Sequence, residues 1–150
     1  MFRGINALNV DVKGRFAMPT RYRDLLIGQA HGQLVLTIDT DEHCLLLYPL
    51  KVWEEIEKKV AALPSFNPQA RRIQRLLIGH ATEIEMDAQG RLLLPPLLRD
   101  YAKVGKRLVL IGQGSKFELW DDKAWNQRRD VWLTEEVSGE LSTDLQSLSL

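Results

Sequence analysis

Cysteine is nearly absent: Cys44 is the only one in 150 residues, which excludes an internal disulfide framework. Its setting, Cys44-Leu45-Leu46-Leu47-Tyr48, reads as core. No apolar stretch approaches the roughly 20 residues that a membrane span requires. The opening Met1-Phe2-Arg3-Gly4 leads straight into an alternating pattern with no apolar signal region, so the chain is expected in the cytoplasm. Neither charge sign is in excess, with 20 basic and 20 acidic side chains. That balance excludes a protein that coats nucleic acid indiscriminately, because such binding needs a broad basic surface. Phosphate-cradling and nucleophile-elbow motifs are missing as well. His31, His43 and His80 fit no metal-ligand spacing, so no metal, cofactor or small-molecule substrate is expected, and no enzyme.

What the sequence does have is itself, twice. Asp11-Val12-Lys13-Gly14-Arg15-Phe16-Ala17-Met18-Pro19 recurs as Asp87-Ala88-Gln89-Gly90-Arg91-Leu92-Leu93-Leu94-Pro95, an offset of 76 residues. Arg23-Asp24 matches Arg99-Asp100 at the same offset, and Leu34-Val35-Leu36 answers Leu108-Val109-Leu110 further on. Leu47-Tyr48, Lys51 and Trp53 answer Leu119-Trp120, Lys123 and Trp125. Repetition in the same order over so long a span marks an internal duplication.

Each half reads as strand, tight turn, short strand and helix, followed by two strands and a closing helix. The first strands are Ile5–Val10 and Thr82–Met86. Proline opens the helices 19–27 and 96–104, since its fixed φ suits a first helical turn; Gly28 and Gly105 are the expected terminators. Later strands are placed at 33–40 with 44–48 and at 107–111 with 116–120. The closing helices, 50–63 and 122–133, carry stripes that include Trp53, Ile56 and Val60, or Trp125 and Trp132. A further helix, capped by Asn67 and ended by Gly79, joins the halves, with Arg71, Arg72 and Arg75 on a solvated or subunit-contact face. Residues 1–150 are therefore expected to form one α+β domain with pseudo-two-fold symmetry. Its parts are a first repeat over 5–63, a linker helix over 64–80, a second repeat over 81–133 and an acidic tail over 134–150. Half a chain is marginal for folding alone; halves that interleave strands share a core and leave fewer open edges.

The repeated turn carries the candidate chemistry. Asp before a turn accepts from backbone two residues on, and Gly supplies positive φ cheaply. Asp11, Gly14, Asp87 and Gly90 thus set loop geometry. Arg15 and Arg91 leave the turn where a planar guanidinium can meet phosphate, or the O6/N7 edge of guanine, in bidentate fashion. A hairpin needs only its Asp and Gly; retention of the arginine in both copies points to use of the exposed charge. Lys13 adds a second cation, whereas Gln89 stands at the matching place in the second copy. Arg3 is a further candidate for phosphate contact.

Met1-Phe2-Arg3-Gly4, the doubled Asp-x-x-Gly-Arg-x-x-x-Pro and the segment Gln74-Arg75-Leu76-Leu77-Ile78-Gly79-His80-Ala81 together resemble the MraZ family, of the AbrB/SpoVT swapped-hairpin group. Cys44–Pro49 and Phe117–Trp120 resemble it too. The resemblance implies an AbrB-type, double-psi-like swapped-hairpin β-barrel built from two repeats. It also implies assembly into homo-oligomeric rings and a nucleoid-associated regulator of transcription. The implied target is double-stranded DNA, in short direct repeats upstream of the protein's own division and cell-wall operon, which it usually represses. Carried over by position, the contact-bearing loops are Asp11–Arg15 and Asp87–Arg91, with Lys13, Arg15 and Arg91 as the DNA-binding side chains. Since Gln89 replaces the second loop's lysine, the first loop is expected to carry most of the DNA affinity. A different class is also open: a ring-forming scaffold whose loops grip an acidic protein.

Overall fold

The computed structural model describes residues 1–135 and 141–149. Its elements run β1 (Phe2–Asn9), β2 (Arg15–Ala17), α1 (Thr20–Ala30), β3 (Gln33–Ile38), β4 (Leu45–Pro49), α2 (Leu50–Ala61) and α3 (Pro68–Ile73). The second half follows with β5 (Thr82–Glu85), β6 (Arg91–Leu93), α4 (Pro96–Ala102), β7 (Arg107–Gly114), β8 (Phe117–Asp121) and α5 (Asp122–Thr134). A single exposed turn, α6 (Thr143–Gln146), lies in the expected tail, of which 136–140 and 150 fall outside the described residues. The α+β class is as the sequence patterns indicate. No helix among the described residues is long and apolar enough to cross a membrane.

The ladders make one six-stranded antiparallel sheet, ordered β1-β7-β8-β4-β3-β5, and a two-stranded ribbon, β2-β6. The first strand of each half pairs with the third element strand of the other: β1 lies on β7, and β5 on β3. Register obeys the duplication. Asn9 faces Arg107 as Glu85 faces Gln33, and Leu8 faces Leu108 as Ile84 faces Leu34. Equivalent residues meet at Phe16↔Leu92 in the ribbon and Leu46↔Glu118 between β4 and β8. Those two pairs mark the pseudo-two-fold axis.

Side-chain alternation along the strands builds a core from both halves at once. Phe16, Leu34, Leu36, Leu45 and Leu47 of the first half lie with Leu92, Leu98, Leu108, Leu110 and Leu119 of the second. β1 begins three residues earlier than the alternation suggests because Phe2 is buried, stacked on Phe117 at 4.3 Å and edge-on to Tyr22 at 5.8 Å. Trp53 of α2 packs beside Tyr48, and Trp125 and Trp132 of α5 beside Trp120.

Two helix ends differ from the sequence reading. Gly28 lies inside α1, which continues to Ala30 because Tyr22, Leu26 and Ala30 bury one stripe at four-residue spacing. The terminators are His31 (φ 53°) and Gly32 (φ 74°), whose N–H groups return to Ile27 and Leu26 carbonyls. α4 ends at Lys103 (φ 52°) rather than Gly105, turning Val104 into the core. After Ile73, the α3 helix widens to a π turn over Gln74–Ile78, and the buried Thr37 hydroxyl donates to its Leu77 carbonyl at 2.6 Å.

Candidate nucleic-acid interface

Each repeated turn is a closed clasp. In the first, the Asp11 carbonyl accepts from Gly14 N–H at 3.0 Å, while Asp11 Oδ1 accepts from the Lys13 and Arg15 N–H groups at 3.0 and 2.8 Å. Asp11 Oδ2 takes the Arg15 Nε–H at 2.8 Å. The second repeats this bond for bond: Gly90 to the Asp87 carbonyl at 2.9 Å, Gln89 and Arg91 N–H to Asp87 Oδ1, and Arg91 Nε–H to Asp87 Oδ2 at 2.8 Å. Gly14 and Gly90 hold φ of 84° and 75°, the left-handed region that the turn demands. Each carboxylate is held below the ordinary range, first by its arginine's backbone N–H and then by the guanidinium and the intervening N–H. Aspartate therefore shapes the turn and aims the arginine together.

The ribbon fixes where the arginines stand. Phe16 and Leu92 point inward and are buried, so their neighbours Arg15, Ala17, Arg91 and Leu93 point outward. Arg15 faces Leu93 and Arg91 faces Ala17, which places both arginines on the same outer face. Strand geometry separates their Cα atoms by ~8 Å. Leu94 N–H donates to the Gly14 carbonyl and Met18 N–H to the Gly90 carbonyl, both at 2.9 Å, so each turn is anchored on the opposite half.

The two guanidinium groups differ in their freedom. Among the described residues Arg15 uses Nε alone, leaving both terminal nitrogens open. Arg91 also donates Nη2 to Gln89 Oε1 at 3.2 Å. Gln89 thus removes one cation and engages part of another. Val12 and Lys13 stand exposed at the first tip. Arg3, in contrast, is exposed near the far end of β1, six residues or about 20 Å from Asn9; the structure does not bring it to the first loop.

Two residues that the sequence reading left without a role complete the turns. Arg23 of α1 lies over Gly90, with Nε 2.3 Å from where a Cβ would stand, and it donates to the Met18 carbonyl at 2.6 Å. Arg99 of α4 lies over Gly14, with Nη1 3.4 Å from such a Cβ, and it donates to the Val104 and Gly105 carbonyls at 2.9 and 3.0 Å. Each turn glycine is buried beneath an arginine from the other half. The signal was present in the matched Arg23-Asp24 and Arg99-Asp100, but their crossing needs the strand exchange to be seen.

The family model described as "MraZ protein, putative antitoxin-like" matches this chain twice, over residues 1–76 and 77–142. The chain belongs to the MraZ family. Among its relatives is a "Transcriptional regulator MraZ" of Halorhodospira halophila, 55% identical over 152 aligned residues that cover 100% of both chains. One of the same description from Thioalkalivibrio sulfidiphilus is 57% identical over 151, again covering 100% of both. Another, from Legionella pneumophila, is 59% identical over 138, covering 92% of this chain and 91% of its own. The break between the two MraZ matches falls at the π turn, between the halves that trade strands.

Elsewhere, Asp39, Cys44 and Glu118 bring one ligand-type atom each within 4.8 Å of one another. The Cys44 thiol donates to Asp39 Oδ2 at 3.6 Å, and burial, with Glu118 and Asp39 adding to it, pushes its ionisation far up. A thiol so placed stays protonated and behaves as core.

Proposed function

We propose that this chain is a DNA-binding regulator of transcription, not an enzyme, and that it grips the double helix through its two repeated basic turns. The observation that carries the reading is the shared outer face of the β2-β6 ribbon, from which Arg15 and Arg91 both project, each already clasped by its aspartate. The printed description of the relatives as transcriptional regulators supports it. In this reading Asp11, Gly14, Asp87 and Gly90 hold the turns in shape. Arg15 and Lys13 lead, and Arg91, partly engaged by Gln89, follows. Arg3 is left as a separate backbone contact. One chain neutralises few phosphates; a homo-oligomeric ring, set on direct repeats upstream of its own operon, multiplies them and raises avidity by ~10²–10⁴. Repression of that operon, from the nucleoid, completes the proposal, together with the division into repeats 5–63 and 81–133, the linker over 64–80 and the tail over 134–150.

The test is a titration of the purified protein against the upstream DNA of its own operon at several salt concentrations. Steep salt dependence, preference over scrambled DNA and a loss of about 5- to 150-fold in Arg15→Ala are expected, the equivalent of ~1–3 kcal/mol for a bidentate base contact. Equal affinity for scrambled DNA, unmoved by that substitution, sinks the proposal in favour of a scaffold for an acidic protein.

A further inference from the structure

Both turns rest on the start of a strand from the other half, Met86 N–H meeting the Gly32 carbonyl at the second, but only at the first does that strand start bring charge. Val10 N–H donates to the Lys106 carbonyl at 2.8 Å, and Asn9 faces Arg107 in the β1-β7 ladder. The start of β7 therefore sits at the base of the first loop. There an open cleft of about 670 Å³ is lined by seven residues, among them Asn9, Asp11, Val12, Arg99, Lys106 and Arg107. Three of the seven are cations, and all three come from the second half. The one carboxylate, Asp11, is already occupied by the Lys13 and Arg15 N–H groups and the Arg15 guanidinium. Lys106 is exposed and makes no side-chain hydrogen bond or ion pair among the described residues. Arg107, half exposed, donates Nη1 to Asn9 Oδ1 at 3.0 Å and pairs through Nε with Asp122 Oδ2 at 3.9 Å, its Nη2 making no hydrogen bond among the described residues. A cleft in which cations outnumber carboxylates draws counter-charge.

The pseudo-two-fold axis carries Lys106 and Arg107 onto Gly32 and Gln33, which bear no charge. The charge of the cleft is thus a property of the first loop's surroundings alone, and the internal repeat gives no sign of it.

We infer that this cleft seats a phosphate of the DNA backbone on the rim of the groove entered by the first loop, with Lys106 and Arg107 as its ligands. Val12 stands two residues beyond Val10, at most about 7 Å along the chain. The major groove is about 8.5 Å deep. A tip that reaches base edges therefore leaves the base of the loop, and Lys106 with it, level with the sugar–phosphate rim. The inference rests on the proposed grip of DNA by the first loop, and it gives that grip a direction along the duplex.

Full-length Lys106→Gln, Arg107→Gln and the double variant test it, by DNA titration across salt with thermal melting as the control for folding. Arg107→Lys, which keeps the charge, is the companion should Arg107→Gln melt early. Each lost phosphate contact is expected to lower the slope of log affinity against log salt by ~0.9. Operator and scrambled DNA should weaken by the same factor, and Lys106→Gln should melt like the wild type. A double variant that keeps the full slope, while the wild type is salt-dependent and Arg15-dependent, overturns the cleft and leaves the loop reading standing. A wild type with no salt dependence removes both. Inorganic phosphate is the remaining arm: stabilisation of the wild type but not of Lys106→Gln, with DNA slopes unchanged, makes this a free-anion site and overturns the assignment to DNA.

Discussion

An arginine side chain gives up as much as ~2 kcal/mol of rotamer freedom when it is fixed on a partner. Asp11 and Asp87 have removed part of that loss in advance by holding Nε, while the terminal nitrogens of Arg15 stay open. The hold depends on ionised carboxylates. Their folded-state pKa is depressed, so the order they confer is present above the ordinary value near ~3.9 and is lost only as pH falls through the lower folded one. The Arg15 and Arg91 Nε–H resonances should therefore keep their shifts from pH 7 down to about 5 and move only below about 4. A midpoint above 5 would contradict the clasp. The glycines give a second, graded prediction. A Cβ at either position meets the left-handed penalty of ~1–2 kcal/mol, but at 90 it also strikes Arg23, whereas at 14 it finds Arg99 at 3.4 Å. Denaturant unfolding should rank Gly90→Ala as clearly more destabilising than Gly14→Ala.

Helix ends show how far pattern alone reaches. Gly28 follows the last periodic residue of the expected helix and looks like its stop, yet α1 runs on to bury Ala30 and turns at His31 and Gly32. Nothing lies within 4 Å of a Cβ built at Gly28, so Gly28→Ala should stabilise by about 0.5–1 kcal/mol. Gly32→Ala should destabilise instead, and thermal melting of the pair decides between the two helix ends. Strands, turns and their order were legible because alternation and Asp-x-x-Gly-Arg are local signals. The clasp was legible too, as Asp before a turn. Arg23 and Arg99 over the turn glycines were not, nor the Lys106–Arg107 cleft, since both arise from strand pairing across the duplication. The early start of β1 was hidden for the same reason: Phe2 earns its burial against Phe117, which is 115 residues away.

The chain as a whole is divided by sequence but not by hydrogen bonding. Cut between its two family matches, residues 1–76 would keep the β3-β4 ladder and lose the second-half partners of all four strands, β1, β2, β3 and β4. Such a piece is expected to show no cooperative melting as a monomer, while an equimolar mixture with 77–150 regains strand signal by circular dichroism. A half that melts cooperatively at a temperature independent of its concentration would refute this. The intact chain should unfold in a single transition, seen alike by circular dichroism and by fluorescence of its four tryptophans. The arginines that roof the turn glycines carry this further, into inheritance. Since α4 covers the first turn and α1 the second, instructions for either grip are written in two distant stretches of gene. Recombination that transplanted one half from a relative would deliver a loop with a foreign lid, so the smallest unit that can be exchanged intact spans both halves.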